Sequence, residues 1–120
     1  MNEPKKLGLL DFLTPSDAAL RLLVVESLEY LLALRVLYPA AELYAVAEDA
    51  AALAAIPDEL RVEAERLDYR ETPLPYPRES FDILLAERCL ETVVNPQDIA
   101  AGFGTFIRPT GFFLTSFTNN

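Results

Sequence analysis

The chain has no histidine and one cysteine, Cys89. That removes His-based triads, imidazole general bases and the usual zinc ligand sets together. Carboxylates, guanidinium groups and phenols are left to do chemistry. Glu26 and Glu29 stand in a turn directly after the apolar run Leu22-Leu23-Val24-Val25. Glu48 follows a second apolar run, and Asp68 and Tyr69 follow an alternating one. Glu87, Arg88, Cys89 and Glu91 follow a third apolar run. Carboxylates alone could hold Mg²⁺ or Ca²⁺, but no stretch has the ligand spacing of a cation loop. Arg88 could bind a carboxylate; the ordinary account of it is an ion pair with Glu26, Glu87 or Glu91. Cys89 has no base near it in sequence, so its expected role is that of a small buried hydrophobe.

The elements that must position these groups read as alternating strands and helices. Leu22-Leu23-Val24-Val25 fits a central parallel strand. Ser27 is placed to cap the next helix, with Tyr30, Leu34, Leu37 and Tyr38 on its inner side, and Pro39 ends it. Residues 43–47 form a second strand. Asp49 is placed to cap an Ala-rich helix over residues 50–56, followed by Pro57. Leu60, Val62 and Ala64 alternate with Arg61, Glu63 and Glu65, the period of a strand exposed on one face. A Pro-rich loop ends at Ser80, and Phe81-Asp82-Ile83-Leu84-Leu85-Ala86 is a strand covered on both faces. Asn95-Pro96 opens a helix whose Ile99, Phe103, Phe106 and Ile107 share a face. Arg108-Pro109-Thr110-Gly111 stops it, and residues 111–117 form a last strand. Strands alternating with helices imply a mostly parallel α/β sheet with right-handed crossovers.

At 120 residues and 52% hydrophobic, the chain is one domain with one core. Residues 1–20 read as a helical strap over the sheet, and residues 21–120 as the core. No apolar run approaches the roughly 20 residues of a membrane span, and the N-terminus lacks a signal peptide's long apolar region. A lone cysteine fits a reducing compartment, hence a cytoplasmic protein. The net charge of −9 repels phosphate backbones and anionic membranes, so neither nucleic acid nor membrane is an expected partner.

The order of parts from Asp68 onward resembles the second half of the class I S-adenosylmethionine (SAM) dependent methyltransferases. The matching pieces are Asp68, Leu74-Pro75-Tyr76, Ser80-Phe81-Asp82, Leu90-Glu91 and Arg108-Pro109-Thr110-Gly111. A weaker match runs back to about Arg21. The resemblance implies a doubly wound five-stranded sheet in the order 3-2-1-4-5 with helices on both faces. It also implies a cofactor site at the carboxyl ends of the strands.

The family needs a Gly-rich turn after the first strand, an acid ending the second strand for the ribose hydroxyls, and an acid after the third for the adenine amine. Here the turn is Val25-Glu26-Ser27-Leu28-Glu29-Tyr30, without glycine. Ala47 falls at the ribose position, with Glu48 one residue late and pointing the other way unless the strand bulges. Asp68 is in register, followed by Tyr69. The candidate cofactor-contacting set implied by the resemblance is therefore Glu26, Glu48, Asp68, Tyr69 and Arg88, with no catalytic residue.

The expectation is a truncated, degenerate methyltransferase-like domain without catalysis or cofactor, acting in self-association or partner binding. The alternative is a SAM-dependent methyltransferase of a small molecule. Ending at the fifth strand would leave a bare sheet edge beside Phe103, Phe106, Phe112, Phe113 and Phe117, so a homodimer through that edge is expected.

Overall fold

The computed structural model describes residues 13–69, 74–87 and 102–116. Five strands form one sheet: β1 (Arg21–Val25), β2 (Glu42–Ala47), β3 (Val62–Arg66), β4 (Phe81–Glu87) and β5 (Ile107–Ser116). Their order is β3-β2-β1-β4-β5 and every pairing is parallel, as the resemblance implied. Two short helices, α1 (Leu31–Leu37) and α2 (Ala50–Ala54), follow β1 and β2. Among the described residues no helix is long and apolar enough to cross a membrane. Of the helical strap expected over residues 1–20, residues 13–20 are described and form no helix, running as irregular chain into β1; residues 1–12, the Asn95-Pro96 helix start, Ile99 and Phe117 lie outside the described residues.

Parallel strands have no hairpins to shield them, so both faces of the sheet must be covered. Leu22, Leu23, Val24 and Val25 are all 0% exposed, the extreme of that rule. Leu22 and Val24 pack with Tyr30, Leu31 and Leu34 on one face. Leu23 and Val25 pack with Leu84, Leu74 and Phe103 on the other. Each such side chain contributes about 1.5–3 kcal/mol by leaving water. On the second face, Tyr76 and Tyr44 stand edge-on to Phe81 at ring-centroid distances of 5.0 and 5.4 Å, which anchors the 74–80 loop.

Three local expectations change. Ser27 does not cap the following helix by its side chain. The chain instead passes through a 3-10 turn, Leu28–Tyr30, and α1 starts only at Leu31. Asp49 caps as expected, its Oδ1 accepting from the amides of Ala51 (2.9 Å) and Ala52 (3.3 Å), but α2 ends at Ala54 rather than residue 56. Arg108-Pro109-Thr110-Gly111 lies inside β5 rather than before it. Ile107 pairs with Phe81 and Phe112 with Ile83, so these four residues bulge opposite Asp82 alone. The bulge is held from beneath. Asp82 Oδ2 accepts from the Arg21 amide at 2.9 Å, and the Arg108 guanidinium lies 3.3 Å from the same carboxylate. A Cβ on Gly111 would strike the Asp82 carbonyl oxygen and come within 2.7 Å of Ile107 Cγ2.

The α1 side of the sheet is fastened by one guanidinium. Arg35 Nε donates to the Leu60 carbonyl at 3.1 Å, and its Nη1 donates to the carbonyls of Ala41 (2.7 Å) and Pro39 (3.1 Å). It thereby ties α1 to the β2 entry and to the turn before β3. Burial first, and the nearby Arg61 charge second, pull its pKa below the ordinary arginine value; a guanidinium remains charged regardless. Arg35→Met should cost roughly 1–3 kcal/mol in urea denaturation, because it strands these carbonyls. Arg35→Lys should recover only part of that, since an ammonium lacks the fork.

Burial raises the pKa of Tyr38 and, joined by the hydrogen bond to Glu42, that of Tyr44. Tyr76 is pushed up to about 12 by burial and then by the charge of Glu65. Such a phenol keeps its proton in the folded chain after the unfolded chain has lost it near pH ~10. The stability it contributes is full below that pH and is lost as pH rises toward about 12. Tyr76→Phe should flatten this alkaline decline, followed by denaturant midpoints at stepped pH.

Candidate functional site

In an open parallel sheet the general place for a ligand is outside the carboxyl ends of the strands, at the switch point between β1 and β4. Here β1 ends at Val25 and the chain turns through Glu26, which has φ 66°. That is the left-handed region, where a Cβ costs about 1–2 kcal/mol. Two bonds hold it there. The Glu26 amide donates to the Val46 carbonyl at 2.9 Å, and Glu26 Oε2 accepts from the Glu48 amide at 2.7 Å. The carboxylate thus reaches sideways from the end of β1 to the end of β2.

The lacing continues outward. Arg66 Nε donates to the Glu48 carbonyl at 3.0 Å, and the Leu67 amide donates to the Ala47 carbonyl at 2.8 Å. The ends of β1, β2 and β3 are therefore joined through Glu26, Glu48 and Arg66. Sequence reasoning missed Arg66, which closes β3, and it missed the Glu26–Glu48 bond. A left-handed glutamate has no sequence signature.

The other expected site residues fall as follows. Ala47 is 2% exposed and pairs with Arg66 in unbroken register, so β2 has no bulge that would turn Glu48 inward. Glu48 lies just beyond the strand and is exposed. Asp68, half-buried, comes just after β3. Tyr69 is buried and its ring lies 5.9 Å from that of Phe103. Arg88, Cys89 and Glu91 lie outside the described residues. Ser27, at the turn itself, is buried. Among the described residues, no three His, Cys, Asp or Glu side chains are grouped to hold a metal ion.

The strain and the bond at Glu26 can be separated by substitution. Glu26→Gly loses the carboxylate–amide bond but relaxes the left-handed backbone, while Glu26→Ala loses the bond and keeps the strain. Glu26→Ala should therefore be less stable than Glu26→Gly by about 1 kcal/mol, measured by urea denaturation.

No protein-family model matches the chain, and no curated protein matches it in sequence. Solved structures do match in shape. The [4+2]-cyclase SpnF superposes with a TM-score of 0.75 at 22% identity, covering 92% of this chain and 43% of SpnF. A SAM-dependent methyltransferase from Mesorhizobium loti gives a TM-score of 0.73 at 20% identity, covering 97% of this chain and 54% of that one. One from Aquifex aeolicus gives 0.72 at 14% identity, covering 94% and 66%. The chain spans two-thirds or less of the length of each. The all-parallel sheet in the order β3-β2-β1-β4-β5 and these superpositions show that this chain has the fold of the class I SAM-dependent methyltransferases.

Proposed function

We propose that this chain is a cytoplasmic binding domain built on the methyltransferase fold, acting in self-association or partner binding and not in methyl transfer. The observation that carries this reading is Glu26. SAM brings an α-carboxylate, and a turn that binds it needs bare backbone amides near the end of β1. Glu26 puts a Cβ and a second carboxylate there, and the carboxylate already accepts from the Glu48 amide. At the ribose position Ala47 has only a methyl group. The described residues at these two positions do not fit the cofactor's carboxylate and ribose. Glu26, Glu48, Asp68, Tyr69 and Arg88 are on this reading the lining of a vestigial cleft. The fold is not bound to one chemistry, and SpnF is itself described as a [4+2]-cyclase.

A second reading, a SAM-dependent methyltransferase of a small molecule, has one observation in its favour. Asp68 is half-buried beside the buried Tyr69, at the position where the resemblance puts the adenine contact. Titration calorimetry with SAM and with S-adenosylhomocysteine decides between the two. The expected result is no saturable heat up to about 1 mM ligand. Micromolar affinity, about −8 kcal/mol, would overturn the binding-domain reading, and Asp68→Ala should then weaken that affinity.

A further inference from the structure

The face of the sheet covered by α1 carries an apolar groove. It runs between α1 with its preceding turn, Leu28–Tyr30, and α2 with the turn Asp58–Leu60. Its volume is about 550 Å³. Ten residues line it: eight are apolar, Leu28, Leu32, Ala55 and Ile56 among them, and two, Glu29 and Glu59, are acidic. No lysine or arginine lines it. Both glutamates are exposed, and neither joins an ion pair among the described residues. An apolar stripe continues out of the groove along α1. Leu32 is 63% exposed, and Val36, one turn further on the same side, is 72% exposed. These are two of the three large apolar side chains exposed among the described residues. Single exposed apolar residues are ordinary, but a stripe beside an apolar groove marks an interaction surface. The described part of the N-terminal segment meets α1 at its other end, where the Ser16 amide donates to the Leu37 carbonyl at 3.1 Å.

We propose that this groove receives a basic amphipathic helix of a partner protein, with its apolar stripe between α1 and α2 and its Lys or Arg residues against Glu29 and Glu59. This rests on the binding-domain reading above and names the kind of partner. Shape selects a helix. The stretch from Leu28 to Leu37 is roughly 15 Å long, which matches about three turns of a partner helix, and such a helix presents anchors at i, i+3, i+4 and i+7 to a seam of this kind. Charge selects its sign. An acidic helix would meet two rim carboxylates on a chain of net charge −9, like against like. A basic helix is attracted by the whole chain and pairs at the rim, where its charges stay hydrated. A small amphipathic amine shares this chemistry, but it leaves Val36 bare, because Val36 lies beyond the groove on the same stripe.

Fluorescence anisotropy with a labelled amphipathic Leu/Lys peptide of about 14 residues, its leucines at i, i+3, i+4 and i+7, tests this. The full chain should bind it saturably, with a Kd on the order of micromolar. Leu32→Gln and Val36→Gln, at exposed sites where folding tolerates a polar side chain, should each weaken binding, Leu32→Gln at least about tenfold. Glu29→Lys combined with Glu59→Lys should weaken it by about tenfold as well. Glu63→Lys combined with Glu65→Lys makes the same change of charge beside Tyr76, on the opposite face of the sheet, and should weaken it far less. Far-ultraviolet circular dichroism confirms that each variant is folded. A full chain that does not bind the peptide overturns the proposal. So does equal binding of a scrambled peptide of the same composition, a Leu32→Gln variant that binds like the wild type, or a β3 pair that weakens binding as much as the groove pair. Hexylamine binding that Leu32→Gln abolishes, without peptide binding, gives the groove to a small amphipathic amine instead. The outcome is separable from the cofactor question. A chain that binds both the peptide and SAM sinks the functional reading and leaves this one standing, and a chain that binds neither does the reverse.

Discussion

Four consecutive side chains in β1 are sealed from water, and the rest of the domain answers to that constraint. Adjacent strand residues point to opposite faces, so Leu22 and Val24 require one covering layer, and Leu23 and Val25 another. The first is supplied by α1 and the residues around it, with Tyr30, Leu31 and Leu34 inward. The second relies on the 74–80 loop and the segment around Phe103 among the described residues. That explains the aromatic weight of the second face. Tyr44, Tyr76 and Phe81 meet edge to face where a loop, lacking a helix's regular stripe, must still exclude water.

The same burial sets the terms at the carboxyl end. A strand fully enclosed up to Val25 must release the chain abruptly, and the first residue outside, Glu26, takes the left-handed conformation. In a cofactor-binding turn glycine does this without penalty. Here a glutamate does it, and the strain is offset locally by two hydrogen bonds to the end of β2. The consequence reaches past stability. The feature that ought to bring backbone toward a ligand's carboxylate instead brings a carboxylate of its own, committed to a neighbouring strand. Fold and site have separate physical requirements, and the hydrogen bonds of Glu26 serve the first.

How much of this was legible in the sequence depended on the range of the interaction. The strands were legible because enclosure on both faces demands unbroken apolar runs, as in 22–25 and 81–86. The Asp49 cap was legible because a carboxylate before an alanine run has one nearby use, the amides of Ala51 and Ala52. The offset of Glu48 from the end of β2 was legible in the two-residue period of a strand, and β2 runs through Ala47 without a bulge. Ser27 misled because the turn before it was unforeseen: once Glu26 turns left-handed, the chain enters a 3-10 turn with Ser27 buried. Arg108-Pro109-Thr110-Gly111 read as a stop because proline and glycine punctuate, yet Ile107 on one side and Phe112 on the other both pair with β4. Arg35 carries no signal in the sequence. Its acceptors at Ala41 and Leu60 come together only in the folded chain.

The bulge in β5 connects these points to the asymmetry of the edges. Asp82 is gripped from both sides, by the Arg21 amide of β1 and the Arg108 guanidinium of β5. That pins the start of β5 to the centre of the sheet. Gly111 lies so close to the Asp82 carbonyl that no side chain fits between them. With its first residues fixed this way, β5 resumes regular pairing at Phe112 and holds it through Ser116. At β3 the pairing to β2 is regular throughout. The two outer strands of the described sheet thus differ in kind: β3 carries glutamates on an exposed surface, while β5 from Thr110 to Ser116 is uncharged.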